Sequence, residues 1–481
     1  MDSFMRDSDA FSWYMERDPS LRSTVVAIAW LDRSPDWETL CAKVERASRL
    51  VPLFRKRVLE PPARLSTPRW LVDHEFDLER HLDRVDARHP EGSQTAVDVA
   101  HHVVATDFDR RRPLWRLTLV EHLPEDRAAL VMKLHHALTD GVGGMELALL
   151  LFDPERGAPP PADLPQAPSG ERLGTVSLVR ESLARDWARG VGFLADRARS
   201  SLPSARHGVS HPLSTAGDIL ETSRSILRTV APVRRTLSPV MTARGLERRL
   251  DLLEVDLQDL KRASAKAGGT VNDAFLAAVT GGLYRYHERH GASVDRLRVT
   301  LPISIRREGD PIGGNRITLM RFVLPVSGAG PADRIPEIHR LCLRARRERS
   351  LEFTNTIAGA LNLLPRVVVG NMLKHVDFLA SDVPGFADPV YLAGALVERY
   401  VAFGPTIGAA MNLTLLSYNG RCGVGVTLDT AAVPDQALLM ACLREGFEEV
   451  LALGGGHRPV ALLLHDAPSA DRPLDPLSYG G

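Results

Sequence analysis

Two adjacent histidines, His135 and His136, stand just ahead of an Asp-Gly pair, Asp140-Gly141, in the stretch AALVMKLHHALTDGVGGMELALLL, residues 128–151. A neutral imidazole titrates near pH ~6.5, so either ring can take a proton under physiological conditions. Asp140 follows His136 by four residues and can fix a tautomer or pin the loop through a salt bridge. Spacing alone leaves three uses open: general-base catalysis, part of a metal site, and a chance pairing. Metal motifs place their histidines toward one ion, as HExxH does on a helix, and adjacent residues do this poorly. No Cys/His cluster accompanies the pair, so no metal is expected.

The flanks say how the pair is held. Ala129-Leu130-Val131-Met132 and Lys133-Leu134 suit a buried strand, and Met145 to Leu151 suits a helix. The stretch therefore predicts strand, polar loop, helix. Successive side chains of an extended backbone point to opposite faces, so one histidine can face a cavity while the other braces the loop. Gly141, Gly143 and Gly144 permit a tight turn or a close backbone approach.

The whole chain narrows the class. Its 481 residues suffice for two or three domains with large cores. Lys+Arg and Asp+Glu are both 60, and zero net charge argues against nucleic acid as a bulk partner. The four cysteines, Cys41, Cys342, Cys422 and Cys442, are scattered, which fits a reducing cytosol and implies no disulfide framework or zinc site. The start, MDSFMRDSDAF, lacks a signal peptide's features, and no run of about 18 apolar residues predicts a membrane span. No GxSxG elbow, GxxxxGK[ST] loop or GxGxxG fingerprint occurs. With no evident covalent nucleophile, direct transfer is expected.

In chain order, Val25 to Trp30 reads as a strand and Trp37 to Leu50 as an amphipathic helix. Residues 154–170 hold six prolines and read as a linker or mobile crossover. A helical pattern then pairs Val176, Val179, Leu183, Trp187, Val191 and Leu194 with Arg180, Arg185 and Arg189 on its other faces. Such a helix either packs on the body or lies on a membrane. After a second breaker, Leu202 to Thr215, another helix carries Ile219, Ile226 and Val230. Leu252–Leu257, Leu297–Ile305 and Ile317–Pro325 read as strands, and Thr270 with Asp273 predicts a capped helix. Asn419-Gly420 predicts a type I′ hairpin between Met411–Ser417 and Cys422–Leu428, and Gln436–Leu453 predicts a last helix.

HHALTDG resembles the HHxxxDG signature of the CoA-dependent acyltransferase superfamily. The segments VPLFRKR (51–57), Pro68-Arg69-Trp70, Phe76-Asp77-Leu78 with His81, Arg112-Pro113-Leu114-Trp115, TVND (270–273) and PISIR with Gly314-Asn315 follow in order. They resemble one branch, the bacterial wax ester synthase/diacylglycerol acyltransferases. Ser381-Asp382-Val383-Pro384-Gly385-Phe386 resembles that family's SNvPGP turn, with Asp382 in place of Asn and Phe386 in place of Pro.

The resemblance implies an α/β fold of two chloramphenicol-acetyltransferase-like lobes with a substrate channel between them. Residues 1–153 would form the N-terminal lobe, 154–245 a Pro-rich linker with crossover helices, 246–465 the C-terminal lobe, and 466–481 a disordered tail. It implies transfer of a fatty acyl group from acyl-CoA to a lipid alcohol, diacylglycerol or a long-chain fatty alcohol. His136 would be the proton acceptor, with His135, Asp140 and Gly141 shaping its loop. Trp115, Asn272, Asp273 and Ser304 would contact substrate, although large aromatics such as Trp115 mostly serve burial and Asn272 equally suits a turn or cap. Arg55 is the expected ion-pair partner of Asp140, since the matching aspartate of condensation domains pairs with an early arginine. Acyl-CoA is a co-substrate and no cofactor is implied. The expected location is cytoplasmic, with peripheral contact at a membrane or lipid droplet. Two alternatives are a condensation-type enzyme with an amine or carrier-bound acceptor, and a non-catalytic lipid-binding relative.

Overall fold

The structure, a computed structural model, describes residues 4–62, 66–88, 95–159, 163–174, 177–185, 187, 235–304, 317–347, 374–456 and 460–463. The expected helix around 219–230, the breaker before it, residues 188–194, Ile305–Arg306, Gly314–Arg316 and the tail lie outside them.

The N-terminal half supplies helices α1 (Asp7–Met15), α2 (Trp37–Leu50), α3 (Ala96–Ala105) and α4 (Gly141–Leu151). Its strands are β1 (Thr24–Leu31), β2 (Lys56–Leu59), β3 (Arg69–Val72), β4 (Leu82–Asp86), β5 (Trp115–Leu123) and β6 (Arg127–His135). The C-terminal half begins with β7 (Arg248–Asp256), α5 (Leu257–Lys266), α6 (Val271–Arg289), β8 (Arg296–Ser304), β9 (Ile317–Pro325) and α7 (Pro331–Arg346). It continues through β10 (Phe378–Val383), β11 (Tyr391–Leu392), β12 (Ala395–Phe403), β13 (Met411–Tyr418), β14 (Arg421–Asp429), α8 (Gln436–Leu453) and β15 (Ala461–Leu463).

Two large sheets result. The second is ordered β15-β7-β14-β13-β10-β8-β9, with β10 parallel to both of its neighbours. Its core is packed by α6 and α8, where Phe275, Tyr286 and Phe447 are fully buried. The first is ordered β11-β12-β1-β6-β5-β4. Two of its strands, β11 and β12, come from the C-terminal half, and β12 runs antiparallel to β1 from Val26↔Phe403 to Leu31↔Val397. The division expected near residue 246 therefore cuts the sequence but not the structure. An apolar strand such as ALVERYVAF carries no mark of which sheet it joins, because pairing partners are set by topology and not by local pattern.

Local chemistry accounts for the element ends. Thr270 and Asp273 form a capping box at α6, and Gly291 ends it in the left-handed region at φ 64°. Asn419 and Gly420, both at positive φ, make the hairpin that joins β13 to β14 in the register Tyr418↔Arg421. The Pro-rich stretch is less free than expected. Residues 163–174 form no helix or strand, but Arg46 bonds Asp163, Arg49 bonds the Pro165 carbonyl, and Glu171 N–H bonds Val72 O at 3.0 Å. Among the described residues no helix is long and apolar enough to cross a membrane.

Candidate active site

β6 ends at His135 and delivers the histidine pair to the mouth of a cavity of about 240 Å³ that both halves of the chain line. The backbone fixes the pair first. His135 N–H donates to Leu114 O at 3.0 Å and His136 N–H to Ser23 O at 2.9 Å. The two side chains then diverge, as strand alternation requires.

His135 points away from the cavity and is fully buried. Its Nδ1 accepts the Ala137 N–H at 3.0 Å, so Nε2 carries the proton, and Nε2 lies 2.6 Å from Glu16 Oε2. Trp13 and Phe108 pack edge-on against the ring at 5.7 and 5.9 Å. Glu16 is held in turn by the Ser23 N–H at 3.1 Å and lies 3.6 Å from Arg110, which covers the Trp13 ring at 4.2 Å. Burial pushes the Glu16 carboxyl up, but the interactions with His135, the Ser23 N–H and Arg110 outweigh it and the net shift is downward. The carboxylate form is the one that accepts from His135.

His136 is the opposite case. It lines the cavity, and its Nδ1 is buried with no hydrogen-bond partner. Burial lowers its basicity, against smaller opposing pulls from its own backbone and from Asp140. The imidazole is therefore neutral at pH 7, which is the state a general base needs.

Asp140 caps α4: its carboxylate accepts the Gly143 N–H at 2.8 Å, and it is buried. The ion pair with Arg55 is not formed. A short helical turn, Pro52–Arg55, sends the guanidinium toward α2, where it bonds Glu45 at 2.6 Å and Ser48 at 3.0 Å and covers Phe76 at 4.4 Å. Gly141 is not in the left-handed region. Its need is space, since a Cβ there would lie 2.8 Å from Val383 Cγ2. This is where the histidine loop meets β10 of the other sheet.

Trp115 is buried and also lies on the cavity lining. Its indole N–H bonds Phe54 O at 2.8 Å and its ring stacks on His81 at 4.4 Å, while one edge lines the cavity. Ser304, at the end of β8, also lines it. Asn272 and Asp273 are not among its lining residues. Asp273 is spent on the α6 capping box and on His339 Nδ1 at 2.7 Å, and Asn272 Nδ2 faces Cys342 Sγ at 4.0 Å.

Three features had no signal in the sequence. Glu16 reaches His135 across 119 residues. Tyr400 enters the cavity on a strand lent by the C-terminal half. A polar row runs from Ser381 Oγ to Thr414 Oγ1 at 3.2 Å, on to Asn412 Oδ1 at 3.3 Å, and from Asn412 Nδ2 to Pro405 O at 2.7 Å. Asp382, noticed only as a departure from a turn motif, opens onto the same cavity. Its side chain is exposed at the end of β10, yet the protein packed around it pushes its carboxyl up to about 6, against the pull of Arg346. Among the described residues no group of three or more His, Cys, Asp or Glu could hold a metal ion.

Comparison with known proteins agrees with this architecture. The profile of the wax ester synthase/diacylglycerol acyltransferase catalytic domain matches residues 5–275, and that of the WS/DGAT C-terminal domain matches 313–450. A Mycobacterium tuberculosis protein provisionally named diacylglycerol O-acyltransferase is 36% identical over 450 residues, covering 93% of this chain and 91% of that one. The structure of the wax ester synthase/diacylglycerol acyltransferase from Marinobacter aquaeolei VT8 superposes with a TM-score of 0.61 at 20% identity, covering 94% of this chain and 100% of that chain. The first condensation domain of the calcium-dependent antibiotic synthetase, at 16% identity and 96% and 99% coverage, also gives 0.61, so the two-lobed fold is common to all three. This chain belongs to the wax ester synthase/diacylglycerol acyltransferase family.

Proposed function

We propose that this acyltransferase moves a fatty acyl group from acyl-CoA to the hydroxyl of a lipid alcohol, with His136 as the general base. One observation carries the assignment: His136 is a half-buried, neutral imidazole on the cavity wall whose buried Nδ1 has no hydrogen-bond partner among the described residues. Nε2 takes the acceptor's proton as its oxygen attacks the thioester carbonyl. The C–S bond of the tetrahedral adduct then breaks, and the imidazolium returns its proton to the thiolate. The products are an ester and free CoA, and the base is regenerated. An acyl-CoA donor is further supported by a starter condensation domain of the same fold solved in complex with C8-CoA, at a TM-score of 0.58.

General-base action is worth ~10²–10⁴-fold, and positioning supplies much of the rest. His136→Ala is therefore expected to lose ~10²–10⁴-fold in kcat with the fold intact. The check is product formation from labelled palmitoyl-CoA with hexadecanol or diacylglycerol, together with the circular dichroism of both proteins. A His136→Ala enzyme that keeps most of its turnover would overturn the role. Since burial lowers the basicity of His136, the acid limb of kcat/KM should fall below the ordinary imidazole value of ~6.5.

Contact with a lipid surface fits the same substrates. In the helical residues 177–185 and 187, Leu178 is buried while Leu183 is 51% and Trp187 74% exposed.

A further inference from the structure

We propose that the arm of the cavity between the first sheet and helices α2 and α4 holds the donor's acyl chain, and that Tyr400 closes its far end and sets the longest chain accepted. The proposal rests on the transfer reading above and concerns how that same site selects its substrate.

The arm is apolar apart from Ser48 on α2 and the Tyr400 hydroxyl. Ala27, Leu117, Met132 and Leu134 line it from the sheet, and Leu147 and Ala148 from α4. These alternate residues belong to the face that also presents His136, because β6 continues in register to the base. A saturated chain attached to a carbonyl near His136 Nε2 can follow this face without meeting a charge.

Tyr400 marks where it must stop. On β12 it stands opposite Ala29 of β1, and Ala29 stands opposite Leu130 of β6. Leu130 precedes His136 by six residues. At ~3.3 Å per residue the row of Tyr400 is ~20 Å from the base. Helix α4 gives a second measure. It starts at Gly141, beside the base, and is followed by Phe152, whose ring packs edge-on against Tyr400 at 5.7 Å. At ~1.5 Å per residue that path is ~16 Å. With C–C bonds of ~1.5 Å an extended chain advances ~1.3 Å per carbon, so the arm takes ~12–16 carbons.

The floor is rigid and polar. Tyr400 is 94% buried, since only 6% of its surface is accessible, and it is wedged between Phe152 and Phe386. Its hydroxyl makes no hydrogen bond to the described protein, and the residue lines the cavity. Burial alone pushes the phenol above its ordinary value, which is what a hydroxyl without partners at the end of an apolar arm would show. A methyl end that reaches this hydroxyl can go no farther without displacing an aromatic cluster.

The test is the chain-length profile of kcat/KM, from ten to twenty-two carbons, with one fixed alcohol. Tyr400→Ala should move the longest well-used acyl-CoA up by about four carbons, the span of the side chain removed. Tyr400→Phe, which keeps the bulk, should move it by about one. Ala27→Leu narrows the arm at the row of Met132, ~13 Å from the base, and should cut the preference to about ten carbons. That third variant also keeps the test decisive if Tyr400→Ala does not fold. Calorimetric binding of the same acyl-CoA series reads the cut-off without turnover, so a failed ruler is told apart from a failed reaction. Unaltered chain-length profiles in Tyr400→Ala and Ala27→Leu would overturn the proposal.

Discussion

The two walls of the cavity are built on different chemistry. The wall from the first sheet and α4 is mostly apolar where it faces the cavity, its polar members being His136, a few serines, Tyr400, and Thr139 and Asp140 beside the base of α4. Its polar apparatus lies behind it, where Glu16 and His135 are hydrogen-bonded out of reach of substrate. The wall from the second sheet carries its polar groups in front. Ser381, Thr414 and Asn412 form a bonded row, and Asp382 opens beside them. An apolar face suits a hydrocarbon chain, and a row of hydroxyl and amide groups suits an alcohol or a thioester. The difference teaches that the proposed base is aimed from the back of one wall, while the opposite wall is chemically suited to the polar end of the proposed substrates.

The sharpest way to break that contrast is to remove the brace behind the first wall. Glu16→Ala takes away the acceptor for His135 Nε2–H and frees the strand end that aims His136. Misplacing a reacting group by ~1 Å can cost ~10²-fold, so kcat should fall by ~10–10²-fold with the KM values little changed. Glu16→Gln retains an oxygen for His135 and should recover most of the loss. A Glu16→Ala enzyme with unchanged kcat would show that His136 is aimed by its own wall alone.

A smaller effect is expected on the second wall. Thr414→Val keeps the shape but removes the link between Ser381 and Asn412. One hydrogen bond of this kind is worth about 1 kcal/mol, or ~5-fold. The loss should appear in KM for the alcohol and leave KM for acyl-CoA unchanged. The reverse pattern would exchange the roles given to the two walls.

How much of this was legible beforehand follows the range of the interactions. HHALTDG told of strand, loop and helix because alternation and periodicity act over a few residues, and the divergence of the two histidines followed from the strand alone. Capping at Thr270 and the Asn419-Gly420 turn were equally local. Long-range partners were not legible. Arg55 was matched to Asp140 on resemblance and instead bonds Glu45, ten residues away on the adjacent helix. Glu16, the residue that does brace the site, lies in an N-terminal segment with no motif. Strand β12 gave no hint that it would cross to the other sheet and carry Tyr400 with it.

The smallest effect concerns Asp382, and its sign tests whether the second wall holds a strained charge. Burial pushes this carboxyl up to about 6. An unfolded aspartate titrates near ~3.9. Between these values the folded chain holds a proton that the unfolded chain has released. The group's contribution to stability is therefore complete below pH ~4 and is lost as pH rises through about 6. Above that, the wall carries a charge that burial disfavours and Arg346 only partly offsets. Asp382→Asn removes the charge at nearly constant shape. It should raise Tm at pH 8 by ~1–2 °C, a small shift because the side chain is partly solvated from the cavity, and give no gain at pH 4. Thermal melts of both proteins at the two pH values measure this. An equal shift at pH 4 and pH 8 would mean that packing, not ionisation, distinguishes the two side chains, and Asp382 would then count as one more neutral member of the polar row.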